Sequence, residues 1–537
     1  MKNQRTKKSK DPETGGQFSA AGGPPRIGVF VVAGAPSADE TLTRNLTLSV
    51  EKGIRLAGAE CARFLFSGPG LVHGRDGHSC RFPRRDLWAD EVECAAMSAG
   101  LDGLVLCADG NDAAAGLLLG AVRLNKPALF VPLQGSQVFP DPRAALAADA
   151  LSATAKQLAR SRTVPTGFVW PHVPADPALD DYPSHAVACL SEVLGASLPL
   201  SSTVPTGSGE QMNLAASAGQ RAVDLVRQNL SIRRLLMVNA FLNAARLDAA
   251  FGGFSEALVF LLALAHEAGV KLSLEVLADV ERKTPQICRL HGEASHHLKD
   301  LHGAGGIPAV LAAFKGLWLP HSTVSGRGIN ELAKSVRVRE TRVIRSGAPY
   351  RAEGGVVVLK GNLAPQGALF RVPPEFPSKM GRFLGTVKVF DSREDALKAL
   401  LEKKIVKGDL VVVRYEGPRG GPGLRPLGLL AHVLAAQGLT DTVGLLTDGA
   451  WGNALPSGLA VEFSSPEATE GAALSVLRDG DRVDVDLSTR RLNVHLTDTE
   501  MKVRLARWHV PPGRARNGFL ARYVRSVGPV LEGAVLK

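Results

Sequence analysis

Cysteine is scarce and scattered in this chain. Its six copies, Cys61, Cys80, Cys94, Cys107, Cys189 and Cys288, include no pair at CxxC spacing. That argues against a zinc ribbon and, in a chain of 537 residues, against a disulfide framework. Most of the thiols read as small buried hydrophobes in a reducing compartment. Long apolar runs are missing as well: the best, Ala257 to Ala265, falls far short of the ~18 residues of a membrane helix. No apolar stretch follows the basic N-terminus, so it does not read as a secretory signal. The expected location is the cytoplasm, with no membrane partner. Aromatic residues make up only 5% and no recognition motif accompanies the net charge of +11, so a nucleic-acid partner is not expected.

What remains is the composition of a globular protein, 45% hydrophobic and 21% charged, long enough for two or three domains. Residues 1–25 hold Lys2, Arg5, Lys7, Lys8 and Lys10 but little that is apolar, and read as a disordered basic tail. From 26 to 350, apolar runs alternate with amphipathic stretches. RIGVFVVAG, ARFLFSGPG, LDGLVLCADG and PALFVPL read as strands, with helices between them, the pattern of a doubly wound parallel sheet. A mostly helical segment follows, from 185 to 315, with apolar residues at i, i+3 and i+4. From 351 to 537 short β-rich segments take over. DRVDVDLSTRRLNVHL reads there as a hairpin turning at STRR, and the whole as a β-barrel-like domain. The boundary is expected in RSGAPYRAEGG, near 345–355.

Several blocks carry more specific information. They include RRDLWADEVE (84–93), GGFSEALVFLLALAHEAGV (252–270), LKDLHGAGGIPAVL (298–311), GDLVVVRYEGPRGGPG (408–423) and SSPEATEGAALSVLRDGDRVDVDLSTRRLNV (464–494). In order and spacing they resemble the dihydroxy-acid and sugar-acid dehydratases, the family that includes phosphogluconate dehydratase. The resemblance implies an α/β domain followed by a swivelling barrel like that of aconitase, a homodimer, and a site between the domains. It also implies loss of water from a 2,3-dihydroxy acid. That chemistry needs a Lewis acid on the departing hydroxyl, a base at Cα and a cation at the enolate. In the family these are an iron–sulfur cluster held by thiolates, a magnesium held by carboxylates and a modified lysine, and a serine.

At the matching positions this chain differs. The family's Cys-Asp-Lys falls on Gly110, Asn111 and Asp112, and its Asp-Gly on Pro69 and Gly70. Cys-Gly-Ser-Cys falls on Ala175 to Ala178, and a further cluster cysteine of some members on about Arg44. The magnesium-binding glutamate is Pro426, the serine is Gly452, and Glu256 replaces an asparagine.

The expectation is therefore a homologue that has kept the cleft without the catalytic set, needing no cofactor and binding a sugar acid, a dihydroxy acid or a protein partner. Asn111, Asp112, Ser255, Glu416, Asn453 and Ser457 are its candidate pocket residues. The alternative is an active hydro-lyase with cluster or magnesium in a rebuilt site using Cys107, Asp109 or Asp112. A third reading is a subunit that pairs with an active dehydratase. Three weaker signals are a metal site in GLVHGRDGHSC (His73, Asp76, His78, Cys80), another in HHLKDLH (296–302), and RGGPG as a ligand cradle, each set against a plain loop or turn.

Overall fold

The computed structural model describes residues 23–32, 40–66, 80–133, 142–165, 168, 170, 182–290, 296–373, 376–452 and 457–537. Four strands open the fold: β1 (Arg26–Val32), β2 (Glu60–Phe66), β3 (Gly103–Ala108) and β4 (Ala128–Pro132). They pair in parallel in the order β2-β1-β3-β4. Parallel neighbours need crossovers, supplied by helices α1 (Glu40–Leu56), α2 (Arg81–Ser98) and α3 (Asn111–Leu124).

Alternation along the strands separates two cores. Ile27, Val29 and Val31 of β1 pack with α1 and α6 (Gly209–Arg227), while Phe30 and Val32 pack with α2 and α3. Both faces are thus covered, as the uninterrupted apolar strands require. Helices α1 and α6 touch backbone to backbone: a Cβ on Gly53 would lie 1.9 Å from the Ala216 carbonyl oxygen.

The helical segment comprises α4 (Pro142–Ser161), α5 (Ala186–Leu194), α6, α7 (Ile232–Leu235), α8 (Val238–Ala250), α9 (Ser255–Ala268), α10 (Leu274–Lys283), α11 (Leu298–Ala304), α12 (Gly306–Ala313) and α13 (Ile329–Ser335). Helix α9 is buried along nearly its whole length, so each Leu and Phe on it contributes roughly 1.5–3 kcal/mol.

Eight strands follow: β5 (Val356–Leu359), β6 (Gly367–Arg371), β7 (Arg382–Phe390), β8 (Asp409–Val413), β9 (Gly444–Thr447), β10 (Ala460–Ser465), β11 (Arg482–Asp486) and β12 (Arg491–Val494). Their order is β12-β11-β7-β8-β9-β10-β6-β5. The two edges meet where Lys360 bridges Arg491, so the sheet is nearly closed, and β11 and β12 form the expected hairpin with Asp486 opposite Arg491. Leu410 and Val412 of β8 point into the barrel core, while Val411 and Val413 meet an outer layer of α14 (Arg393–Leu401) and α15 (Gly428–Ala436). Helices α16 (Asp498–Ala506) and α17 (Gly518–Ser526) complete the chain.

Two segments cross between the halves. Leu151, Ala155 and Leu158 of α4 lie in the core that α14 and α15 build. In return, Val527, Val530, Leu531 and Val535 join the core around α9, and Arg85 donates to the carbonyls of Gly533 and Ala534 at 3.1 and 2.7 Å.

Among the described residues, no helix is long and apolar enough to cross a membrane. The basic tail to residue 22, the GLVHGRDGHSC loop except Cys80, Asn453 and residues 175–178 lie outside the described residues.

Candidate functional site

Ligands of an open parallel sheet gather at the carboxyl ends of its strands. Here the described part of that edge includes the turn from β3 into α3. Gly110 sits there with φ 75°, a left-handed backbone that glycine adopts without strain. Asn111 turns inward: its amide donates to the Pro183 carbonyl at 2.6 Å and its oxygen accepts from the Val187 N–H at 3.0 Å. Both polar ends are thereby committed to fastening α3 to α5.

Asp112 meets a cation. Arg81 Nε and Nη2 donate to its carboxylate at 2.8 and 3.1 Å, and Arg81 Nη1 and Nη2 donate to Glu256 at 3.1 and 2.7 Å. Both carboxylates lie in the first turn of their helices, α3 and α9, where the helix dipole favours negative charge. Burial works against the guanidinium's charge, but Asp112 and Glu256 outweigh it and hold Arg81 more firmly protonated than usual. The cavity beside this cluster, bounded by Phe82, Asn111, Asp112, Phe254 and Glu256, measures about 30 Å³. It has room for one or two waters, far less than a small-molecule ligand needs.

Ser255 leads from this cluster to the barrel. Its hydroxyl stands by the Glu462 carboxyl, which burial pushes up to about 7 and which accepts from the Trp451 N–H at 3.0 Å. Trp451 is buried, with its indole N–H on the Val461 carbonyl at 2.8 Å. Gly452 follows with φ 92°, and Ser457 lies half-buried a few residues on.

Glu416 sits elsewhere, fully buried under the GGPG turn. It accepts from the Arg393 N–H at 3.1 Å and from Arg425 at 3.2 Å, and Arg514 lies 2.8 Å from its other oxygen. The turn offers little to a ligand, because the Arg419 and Gly420 N–H groups already donate to Glu467. This arrangement favours RGGPG as a structural turn. Pro426, at the position of the family's magnesium-binding glutamate, presents its carbonyl to Arg393, whose guanidinium lies 4.3 Å from the Trp170 ring centre.

The buried thiols fall in two separate cores. Cys107 faces the α1/α6 core, whereas Cys189 and Cys288 lie in the core around α9. Burial pushes the Cys107 thiol up to about 12 and raises that of Cys288 further, the opposite of what a cluster ligand needs. Among the described residues, no three His, Cys, Asp or Glu side chains are grouped to hold a metal. Asp109 is buried at the end of β3, while Asp112 is committed to Arg81. His302 of HHLKDLH contacts Thr203 at 3.3 Å, and His297 begins α11. The described residues therefore do not fit an iron–sulfur cluster or a magnesium ion.

The structure thus brings Asn111, Asp112 and Ser255 to one edge and sets Glu416 in a separate ionic network. Three participants escaped the sequence reading: Arg81, Arg425 and Glu462. A signal for the first existed, since a carboxylate introduced at 256 calls for a cation.

Comparison with known proteins agrees with this architecture. The sequence profile of the dihydroxy-acid/6-phosphogluconate dehydratase N-terminal domain matches residues 25–157 and 182–332. That of the C-terminal domain matches 342–534. The dihydroxy-acid dehydratase of Caldanaerobacter subterraneus subsp. tengcongensis is 36% identical over 508 residues, covering 91% of this chain and 89% of its own. That of Thermodesulfovibrio yellowstonii is 35% identical over 505 residues, covering 92% and 91%. The Geobacter sulfurreducens dihydroxy-acid dehydratase is 36% identical over 505 residues, covering 92% and 90%. By both halves of its sequence, this chain belongs to the dihydroxy-acid/6-phosphogluconate dehydratase family.

Proposed function

We propose that this chain has the hydro-lyase ancestry of its family but no longer expels water, and serves instead to bind a ligand or a partner. The observation that carries the reading is Arg81 between Asp112 and Glu256. Asp112 stands where the resemblance places the modified lysine, and Glu256 where it places an asparagine. A guanidinium is always charged and has no vacant orbital, so it steadies carboxylates but activates no leaving hydroxyl. Gly452, at the position of the family's serine base, has no side chain to take a proton. The same reading has the chain as a homodimer, with a basic tail at 1–25, a first domain at 26–350 and an aconitase-swivel-like second domain at 351–537. Its ligand is a sugar acid or dihydroxy acid, admitted only if the Arg81 cluster opens.

One observation favours a second reading. Identity of 35–36% with proteins named dihydroxy-acid dehydratases runs over nine-tenths of the chain, so an active hydro-lyase with a rebuilt metal site remains the competitor. Anaerobic purification followed by iron, sulfide and magnesium analysis, together with turnover of a 2,3-dihydroxy acid and an aldonate, separates the two. Metal-poor protein without turnover is expected. Measurable dehydration of either substrate would overturn the proposal.

A further inference from the structure

Away from the strand ends, a groove of about 810 Å³ runs between the last turns of α4 and α15 and the loop that joins α14 to β8. Four cations line it: Lys156 and Arg160 from α4, Lys403 and Lys407 from the loop. All four are exposed, none has a carboxylate partner among the described residues, and the lining includes no Asp or Glu. Lysines without an ion pair occur elsewhere on the described surface, so what marks this place is that four cations share one concavity. The C-terminal ends of α4 and α15 supply some negative potential, but a helix end carries only about half a charge.

We propose that this groove binds a small polyphosphate. Its volume lies in the range of small-molecule sites, roughly 300–1,000 Å³. Lysines act as point charges for phosphate oxygens, and Arg160 adds one two-pronged donor. Ile405 and Leu439 give it an apolar floor, on which an organic moiety carrying the phosphates can rest. A nucleic acid is the poorer occupant: the lining has no aromatic side chain to stack on a base, and the concavity is short for a polymer. Because α4 comes from the first half of the chain and the loop from the second, an occupant bridges the two. The inference does not depend on whether the chain retains dehydratase chemistry.

Calorimetric titration of the full chain with inorganic tripolyphosphate and with ATP, at low and raised salt, tests it. Lys156→Gln/Lys403→Gln is compared with Lys502→Gln, a change at an exposed lysine that does not line the groove. The expected result is saturable binding that weakens with salt, falls by about tenfold or more in the double variant and is unchanged in Lys502→Gln. Tighter binding of ATP than of tripolyphosphate assigns the ligand an organic moiety, and equal binding assigns the phosphates alone. Equal loss in Lys502→Gln, no binding of either probe, or binding only of a single-stranded RNA oligomer would overturn the proposal. All three substituted lysines are exposed, so thermal melts of the variants should match that of the parent.

Discussion

Arg81 and Glu256 are joined by two hydrogen bonds, 2.7 and 3.1 Å long, that tie the first turn of α2 to the first turn of α9. Replacing Arg81 with methionine keeps the aliphatic stem and leaves Glu256 and Asp112 facing each other without a cation. The three side chains are only partly covered, so removing the cation strands two half-solvated charges and a loss of about 1–2 kcal/mol is expected, less than for a fully buried pair. Chemical denaturation would check it, and Arg81→Met/Glu256→Gln should recover part of the loss.

Gly452 occupies the place where the family resemblance puts a serine. Its φ of 92° lies in the region that side chains disfavour, although a Cβ there would meet nothing within 4 Å. Gly452→Ser should therefore cost about 1 kcal/mol from backbone strain alone, with no steric clash. Under the proposed function it should also restore no dehydration, which a coupled assay of the product keto acid would show.

Five buried carboxyls respond to pH in one direction. Burial pushes Glu467 up to about 8, Glu192 and Glu462 to about 7, and Asp448 and Asp248 to about 6. In the unfolded chain these groups release their protons near pH 4, so between pH 4 and 8 the native state holds more protons. Their contribution is fully present below pH 4 and is lost as pH rises through 6 to 8. The melting temperature should fall over that interval, and Glu467→Gln should flatten the slope between pH 6 and 8. A melting temperature that climbs steadily from pH 5 to 8 would contradict this assignment.

Thiol reactivity offers a further check. Cys80 and Cys94 are exposed, whereas Cys107, Cys189 and Cys288 are buried, and burial raises the Cys61 thiol to about 11. An aromatic disulfide reagent should titrate two thiols promptly in the native protein and all six after denaturation. Prompt reaction of Cys107, identified by mass mapping, would place it at an open site instead.

Much of the fold was legible because periodicity reports burial directly. RIGVFVV and GLVLCA are buried along nearly all of both strands, and the hairpin at STRR appears with Asp486 opposite Arg491. Less legible were α14 to α17, short helices in a half read mainly as strands, whose apolar residues are shared with neighbours far along the chain. Helix α2 begins at Arg81, with Pro83 tolerated in its first turn. At the site, sequence grouped Asn111, Asp112, Ser255, Glu416, Asn453 and Ser457, whereas the structure brings only the first three to one edge and sets Glu416 apart. Sequence did not reveal the Arg81 pairing: the carboxylate at 256 called for a cation, but nothing local pointed to position 81. Nor did it reveal that Glu467 takes the amides of the GGPG turn, which depends on two loops meeting in space.

The exchange of α4 for the C-terminal segment has a thermodynamic corollary. Each half lends apolar residues to the other's interior, so neither can melt without exposing part of its neighbour's core. Heating should therefore give one calorimetric transition with matching calorimetric and van't Hoff enthalpies. Either half expressed alone should lack the native near-ultraviolet dichroism of its tryptophans.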